Sequence, residues 1–193
     1  MAEGKQVIRG VRTRIAVPPE PTKRTLDEHL FVRFPLLLRA LASAWSRLPP
    51  KSRLRQAWIA RIGARGCAAG NRRDFELLVA ILDSEIEYEP PPAFGGLGSL
   101  PDLQGVQRGP SSYVGVWEKT TDAWPDLRLE FEEIIDFDDQ MLGVGRLSGH
   151  GGATGIPMDE PICQLIGLRH GMVVRQRDFG DLDSALEAAG HRG

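Results

Sequence analysis

Cysteine is scarce in this sequence, with Cys67 and Cys163 the only two among 193 residues. Two thiols cannot build a disulfide scaffold or a four-cysteine zinc site, and so low a number suits a reducing compartment. Neither they nor the four histidines (29, 150, 170 and 191) show metal-ligand spacing, so no metal is expected. Long apolar runs are also lacking. The most apolar stretch, residues 34–46, is short and interrupted by Arg39, whereas a membrane span needs roughly 20 apolar residues. The basic start is not followed by an apolar core and a small-residue cleavage site, so the expectation is a cytoplasmic protein without stable membrane insertion. Charge of one sign is not in excess. Against 24 Lys and Arg stand 26 Asp and Glu, which gives no global reason to expect nucleic acid. The basic N-terminal segment lacks the interleaved aromatics of a single-strand binder. The glycine-rich stretch 149–155 has no strand-to-helix context and no Lys-Ser/Thr, so it reads as a hairpin rather than a phosphate cradle. No G-x-S-x-G elbow is present.

What remains is 41% apolar and 26% charged, the mixture of one folded domain with an appendage. The charges are divided along the chain. Residues 1–55 hold 12 basic and 4 acidic side chains, and the remainder hold 12 and 22. Six of the 14 prolines fall in that first segment. Residues 1–30 therefore read as a flexible basic extension with little to bury. Residues 31–50 read as an amphipathic helical extension, with Leu37, Leu38, Leu41, Trp45 and Leu48 at helical spacing. Such a helix docks on its own domain or on a second subunit, or, being basic, lies on an anionic membrane.

Residues 51–193 read as the main domain. A helix over 52–69 carries Leu54, Trp58 and Ile62 on one face and Arg53, Arg55, Arg61 and Arg65 on its wet face. Asn71 is placed to cap a second helix burying Phe75, Leu78, Val79 and Leu82. A strand over 85–89, a loop over 93–109 and a helix bearing Tyr113, Val116, Trp117 and Thr120 follow. From Leu127 the period falls to 2, giving a meander of strands over 127–136, 140–151, 158–168 and 172–180. His170-Gly171 makes a tight hairpin, and Asp181 caps a last helix. The order is that of an α+β fold, a curved antiparallel sheet wrapped around helices.

The chain at this point resembles the SnoaL-like family of the NTF2-like superfamily, whose fold is a cone-shaped α+β barrel. Asn71-Arg72-Arg73-Asp74-Phe75 is similar to that family's N-x-x-D-F entry to the second helix. Glu85-Ile86-Glu87-Tyr88 resembles the strand that follows, and Arg108-Gly109 the R-G that opens the third helix. Leu168 to Arg175 resembles the L-x-D-G-K-I-x-R hairpin, with His170 and Met172 as departures. Asp181 with Ala185 to Gly190 resembles the closing D-x-x-x-A-L-E-A-x-G. The resemblance covers residues 53–190 and implies a homodimer and a ligand-holding cone. It does not choose among cyclase, isomerase, hydrolase and accessory binding proteins.

A two-residue turn at His170-Gly171 sets Cys163 opposite Asp178, and a turn centred between Thr154 and Gly155 sets Arg146 opposite Cys163 and His150 opposite Asp159. Arg146, Ser148, His150, Cys163, Gln176 and Asp178 then share one face. A carboxylate beside a guanidinium in a half-apolar cavity is a candidate acid/base unit, with Asp178 exchanging the proton and Arg146 holding its charge. The structural alternative is a satisfied ion pair. Arg177-Asp178-Phe179-Gly180-Asp181 also resembles the R-D-Y-F-D strand of limonene-epoxide hydrolases, in which the first Asp is an acid/base residue. By that resemblance Ser148 stands where a second carboxylate would be, which leaves single-carboxylate proton transfer open. Trp117, Trp124, His150, Ser148, Cys163 and Gln176 are the candidate ligand-binding residues. The expectation is a domain that binds a small, largely apolar molecule, with cofactor-free acid/base chemistry of isomerase, cyclase or hydrolase type. The alternative is a non-catalytic ligand-binding or dimerisation module.

Overall fold

Alternating apolar and polar residues build the frame of the molecule, a curved sheet with helices held in its hollow. The structure is a computed structural model that describes residues 10–16, 23–91 and 105–190. Its elements are β1 (Val11–Arg14), α1 (Leu26–Arg33), α2 (Pro35–Ser46), α3 (Arg53–Asn71), α4 (Phe75–Ala80), β2 (Leu82–Glu89), β3 (Gln107–Arg108), α5 (Pro110–Ala123), β4 (Arg128–Asp136), β5 (Gln140–His150), β6 (Pro157–Arg169), β7 (Met172–Phe179) and α6 (Leu182–Ala188). The sheet runs β1-β4-β5-β6-β7-β2-β3 and stays unclosed. Every neighbouring pair is antiparallel except β2 with β7.

Two irregularities bend it. The β4–β5 ladder shifts between Phe131 and Glu133, and the β6–β7 ladder shifts between Gly167 and Leu168. An extra residue on one strand of a pair bends that strand and increases its twist. Inside the bend, the Phe131 ring lies against Gly143, where a Cβ would stand 2.8 Å from it. The inner face and its helices form the main core, which includes Ile59, Ile86, Trp117, Phe131 and Ile162. The outer face carries a smaller one, where α6 buries Ala185 and Leu186 against Ile135, Leu142, Cys163 and Leu165.

Several local expectations need correction. Val11–Arg14, read as part of a flexible extension, is a strand paired with β4, and Ile15 just after it reaches the inner core. Edge pairing is made by the backbone, so a segment poor in apolar residues still joins a sheet. Residues 26–30 of that segment begin helix α1. Its residues 1–9 and 17–22 lie outside the described residues, as do residues 93–104 of the loop expected over 93–109, whose described end holds β3. Helix α3 is rotated from its expected face. Leu54 is exposed, and Arg55, assigned to the wet side, is fully buried. Its guanidinium donates to both carboxylate oxygens of Asp136 (Nε 2.7 Å, Nη2 2.8 Å) and to the Leu48 carbonyl (2.7 Å), beside the Trp45 ring. Asn71 does not cap α4. Asp74 does, accepting from the Leu77 N–H at 3.2 Å. The Asn71 amide instead brackets Leu129, accepting from its N–H (2.7 Å) and donating to its carbonyl (3.1 Å), which ties α3 to β4.

The β6–β7 hairpin turns as expected, with His170 and Gly171 both at positive φ (53° and 76°). Gly171 also touches α2, because a Cβ there would collide with the Ala42 carbonyl. Gly171→Ala is therefore expected to cost about 1–3 kcal/mol from backbone strain alone and to lift α2 from its seat. Thermal unfolding and proteolysis between α2 and α3 would check this. An unchanged midpoint would show that the turn is not strained by a side chain, and unchanged proteolysis that α2 does not depend on the close approach at Gly171.

Candidate functional site

Helix α2 packs between α3 and the β6–β7 hairpin. Its Leu38, Ala42 and Trp45 close a cavity whose walls come from α3, α4, α5 and the inner face of the sheet. The cavity measures about 110 Å³. An engineered apolar cavity of roughly 150 Å³ accepts benzene, so this one suits a molecule of that scale or smaller unless α2 yields.

The wall is apolar except at one end, where Tyr113, Gln164 and Gln176 meet. Behind them, 5% exposed, lies Asp178. Its Oδ2 accepts from the Tyr88 hydroxyl (2.9 Å) and the Gln164 amide nitrogen (3.2 Å), and its Oδ1 accepts from the Gln176 amide nitrogen (3.0 Å). An ionised carboxylate only accepts, so both glutamines turn their NH2 groups to it. The Gln176 oxygen is thereby left facing Tyr113, whose hydroxyl donates to it at 3.3 Å. Tyr88 and Tyr113 pack with ring centroids 5.0 Å apart.

Among the described residues no cation pairs with Asp178. Burial dominates, and the three donors offset it only in part, so the carboxyl pKa rises from 3.8 to about 7. Both phenols are pushed up as well, by burial first and then by the Asp178 carboxylate. Trp117 lines the cavity, and its buried indole N–H lies near the Tyr113 hydroxyl without a well-formed hydrogen bond among the described residues. A ligand with one acceptor atom is the kind of molecule this lining leaves room for.

The structure does not bring Arg146 and Asp178 together. The β5–β6 turn centres one residue earlier than expected, so Arg146 pairs with Pro161 and His150 with Pro157. That shift keeps Arg146, Ser148, His150 and Cys163 on one face. The bulge at Gly167/Leu168 leaves Val174 as an extra residue, so Gln164 faces Asp178 and the C-terminal half of β7 is reversed relative to β6. Gln176 and Asp178 thus point into the cone, and Arg146 points out of it. Arg146 is about half exposed and bonds Asp159 through Nε at 2.9 Å. His150 is exposed and bonds Asp126, with the ring Nδ1 2.8 Å from Oδ2. Cys163 lies in the outer core under α6, where burial pushes its thiol up to about 11. Ser148 shares that outer face, opposite Asp159. Trp124 caps α5 and packs on the inner core without lining the cavity.

Of the candidate binding residues, Trp117 and Gln176 line the cavity. Sequence reasoning missed Gln164 and the two tyrosines. Gln164 did carry a signal, being the polar member of the alternating run Ile162, Gln164, Ile166. No group of three His, Cys, Asp or Glu among the described residues is placed to hold a metal ion. None of the described helices is long and apolar enough to cross a membrane.

The model of a SnoaL-like domain family matches residues 64–176. No curated protein matches the chain. Among solved structures, an NTF2-like protein of unknown function from Burkholderia pseudomallei superposes with a TM-score of 0.54 at 17% identity, covering 66% of this chain and 94% of the other. TerC co-crystallised with polyporic acid gives 0.52 at 18% identity, with coverage of 79% and 96%. A putative SnoaL-like polyketide cyclase from Jannaschia gives 0.50 at 18% identity, with coverage of 64% and 85%. At these identities the likeness is one of fold.

Proposed function

We propose, for a chain that belongs to the SnoaL-like domain family, that its cone takes up a small, largely apolar molecule with one oxygen-bearing end and exchanges a proton with it at Asp178. The observation that carries this reading is the buried Asp178 carboxyl, which pairs with no cation among the described residues and lies behind the glutamine end of a mostly apolar cavity wall. A carboxyl with a pKa of about 7 has both protonation states populated near neutrality, the condition general acid/base work requires. With Arg146 turned outward, the low-dielectric surroundings rather than a guanidinium set that proton affinity. With Ser148 also outward, no second carboxylate among the described residues lines the cavity to share an attacking water. Proton transfer of isomerase or cyclase type therefore fits better than hydrolysis.

In this reading the ligand oxygen accepts from Trp117 Nε1–H or from a glutamine NH2. The carbon beside the carbonyl loses a proton to the Asp178 carboxylate, the electron pair moves onto the oxygen as an enolate, and the carbon later regains a proton from the Asp178 carboxyl. One observation favours the non-catalytic alternative: Gln164 and Gln176 stand between Asp178 and the cavity, so one of them must swing aside before carboxyl and ligand touch. Cyclopentanone separates the two, with binding read in ordinary water and exchange read in deuterium oxide. Binding should shift the Trp117 indole N–H resonance, and deuterium should enter beside the carbonyl about a hundredfold or more faster than with Asp178→Asn. Binding without exchange would leave a binding module only. No shift at Trp117 would remove the ligand reading itself.

A further inference from the structure

Helix α2 has two apolar faces, and the roof of the cavity uses only one of them. The other points outward. Leu26, Leu30, Phe34, Leu36, Leu37 and Leu41 are all exposed, Leu26 by 91%, Leu36 by 79% and Phe34 by 51%. These six lie within sixteen consecutive residues, and elsewhere only Leu54, Val106 and Ile156 are comparable among the described residues. Concentration of this kind marks an interaction surface rather than the ordinary scatter of exposed apolar residues.

The exposed charges carried by α2 and its two ends are of one sign. Arg33, Arg39 and Arg47 are exposed, and α2 contains no acidic residue. The two acidic residues of α1 face the other way and are neutralised there. Asp27 pairs with Arg61 and Arg65 of α3, and Glu28 is buried against Arg72. Arg39 contributes to the lowered pKa of Asp83, and both Asp83 and the exposed Glu85 beside it are already bonded by Arg169.

We propose that the outer face of α1 and α2 docks reversibly on an anionic lipid surface. The large aliphatic side chains enter the headgroup boundary and the arginines meet the lipid charge, as interfacial helices do. A second copy of the chain fits this surface less well, because a two-fold interface centred on it brings the same basic rim against itself. Docking in this way places the bilayer against the helix whose opposite face, Leu38, Ala42 and Trp45, roofs the cavity. An apolar ligand dissolved in lipid then has a short path into the cone. That consequence rests on the function proposed above, whereas docking itself does not.

The test is co-sedimentation of the full chain, with no ligand added, with vesicles of phosphatidylcholine alone and with vesicles containing phosphatidylglycerol. Binding is expected only to the anionic vesicles and should fall as salt is raised. Leu36→Glu/Leu37→Glu and Arg33→Glu/Arg39→Glu should each weaken it at least tenfold, with circular dichroism unchanged. These are exposed positions outside the cavity wall, so proton exchange on cyclopentanone in solution should persist in both variants. Absence of binding to either vesicle would overturn the proposal. So would light scattering that showed a dimer converted to monomer by Leu36→Glu/Leu37→Glu, which would assign the face to a second copy.

Discussion

Asp178→Asn is expected to make the protein more stable at pH 8, by at most about 4 kcal/mol, and to remove much of the pH dependence of unfolding between pH 4 and 7. The sign follows from linkage. The folded carboxyl binds its proton up to about pH 7, whereas the unfolded one releases it near 3.8. In that window the native state holds more protons than the unfolded state, so wild-type stability falls as pH rises and levels off above 7. Asparagine carries no charge to desolvate and keeps the hydrogen bonds. Its oxygen accepts from Tyr88 and Gln164. Its NH2 meets the Gln176 oxygen once that amide flips, and the Tyr113 hydroxyl can accept from the flipped NH2. Urea unfolding at pH 5 and pH 8 checks both halves of the expectation. A variant no more stable than wild type at pH 8 would show that the carboxylate is not penalised by its surroundings.

The opposite outcome is expected at Arg55. Replacement by methionine removes the partner of the fully buried Asp136 and leaves a charge in the interior, a change that typically costs about 3–5 kcal/mol. The same guanidinium also donates to the Ser46 and Leu48 carbonyls at the end of α2 and to Asp138 at 2.9 Å in the β4–β5 turn. Its loss therefore frees the segment that seats the roof of the cavity as well. Since domains are stable by only about 5–15 kcal/mol, Arg55→Met is expected to be marginal or unfolded at 37 °C. Arg55→Met/Asp136→Leu should recover part of the loss, because no buried charge then remains. Denaturant midpoints of the two variants give the comparison. A cost below about 1 kcal/mol for the single change would mean that the pair is wet.

How far the sequence disclosed these features depended on how local their causes are. The His170-Gly171 hairpin was legible because positive φ is demanded at adjacent residues and the sequence supplies a compatible pair. The alternation after Leu127 likewise announced the meander. The side to which Asp178 points was not legible. It hinges on Val174, one extra residue opposite Gly167-Leu168, and nothing in a run of Met-Val-Val-Arg marks which valine is unpaired. A single such residue reversed the relation between Arg146 and Asp178. Arg55 was misread for a different reason. Arginine on a helix normally faces water, and the groups that bury it lie up to 83 positions away, in the β4–β5 turn. On α2, helical spacing puts Leu37 and Leu41 on the same stripe as Leu38 and Trp45. Only the latter two are buried, because the hairpin contact at Gly171 sets the rotation of the helix. Hydropathy reports that a helix is apolar on two sides without saying which side the domain will claim.

The most direct test is a carbon-13 titration of the Asp178 carboxyl, repeated with cyclopentanone bound. A midpoint near pH 7 in the free protein, displaced when the ketone binds, is the expected result. A midpoint near 4 that ignores the ketone would contradict it, since such a carboxyl would be neither shielded from water nor in communication with the cavity.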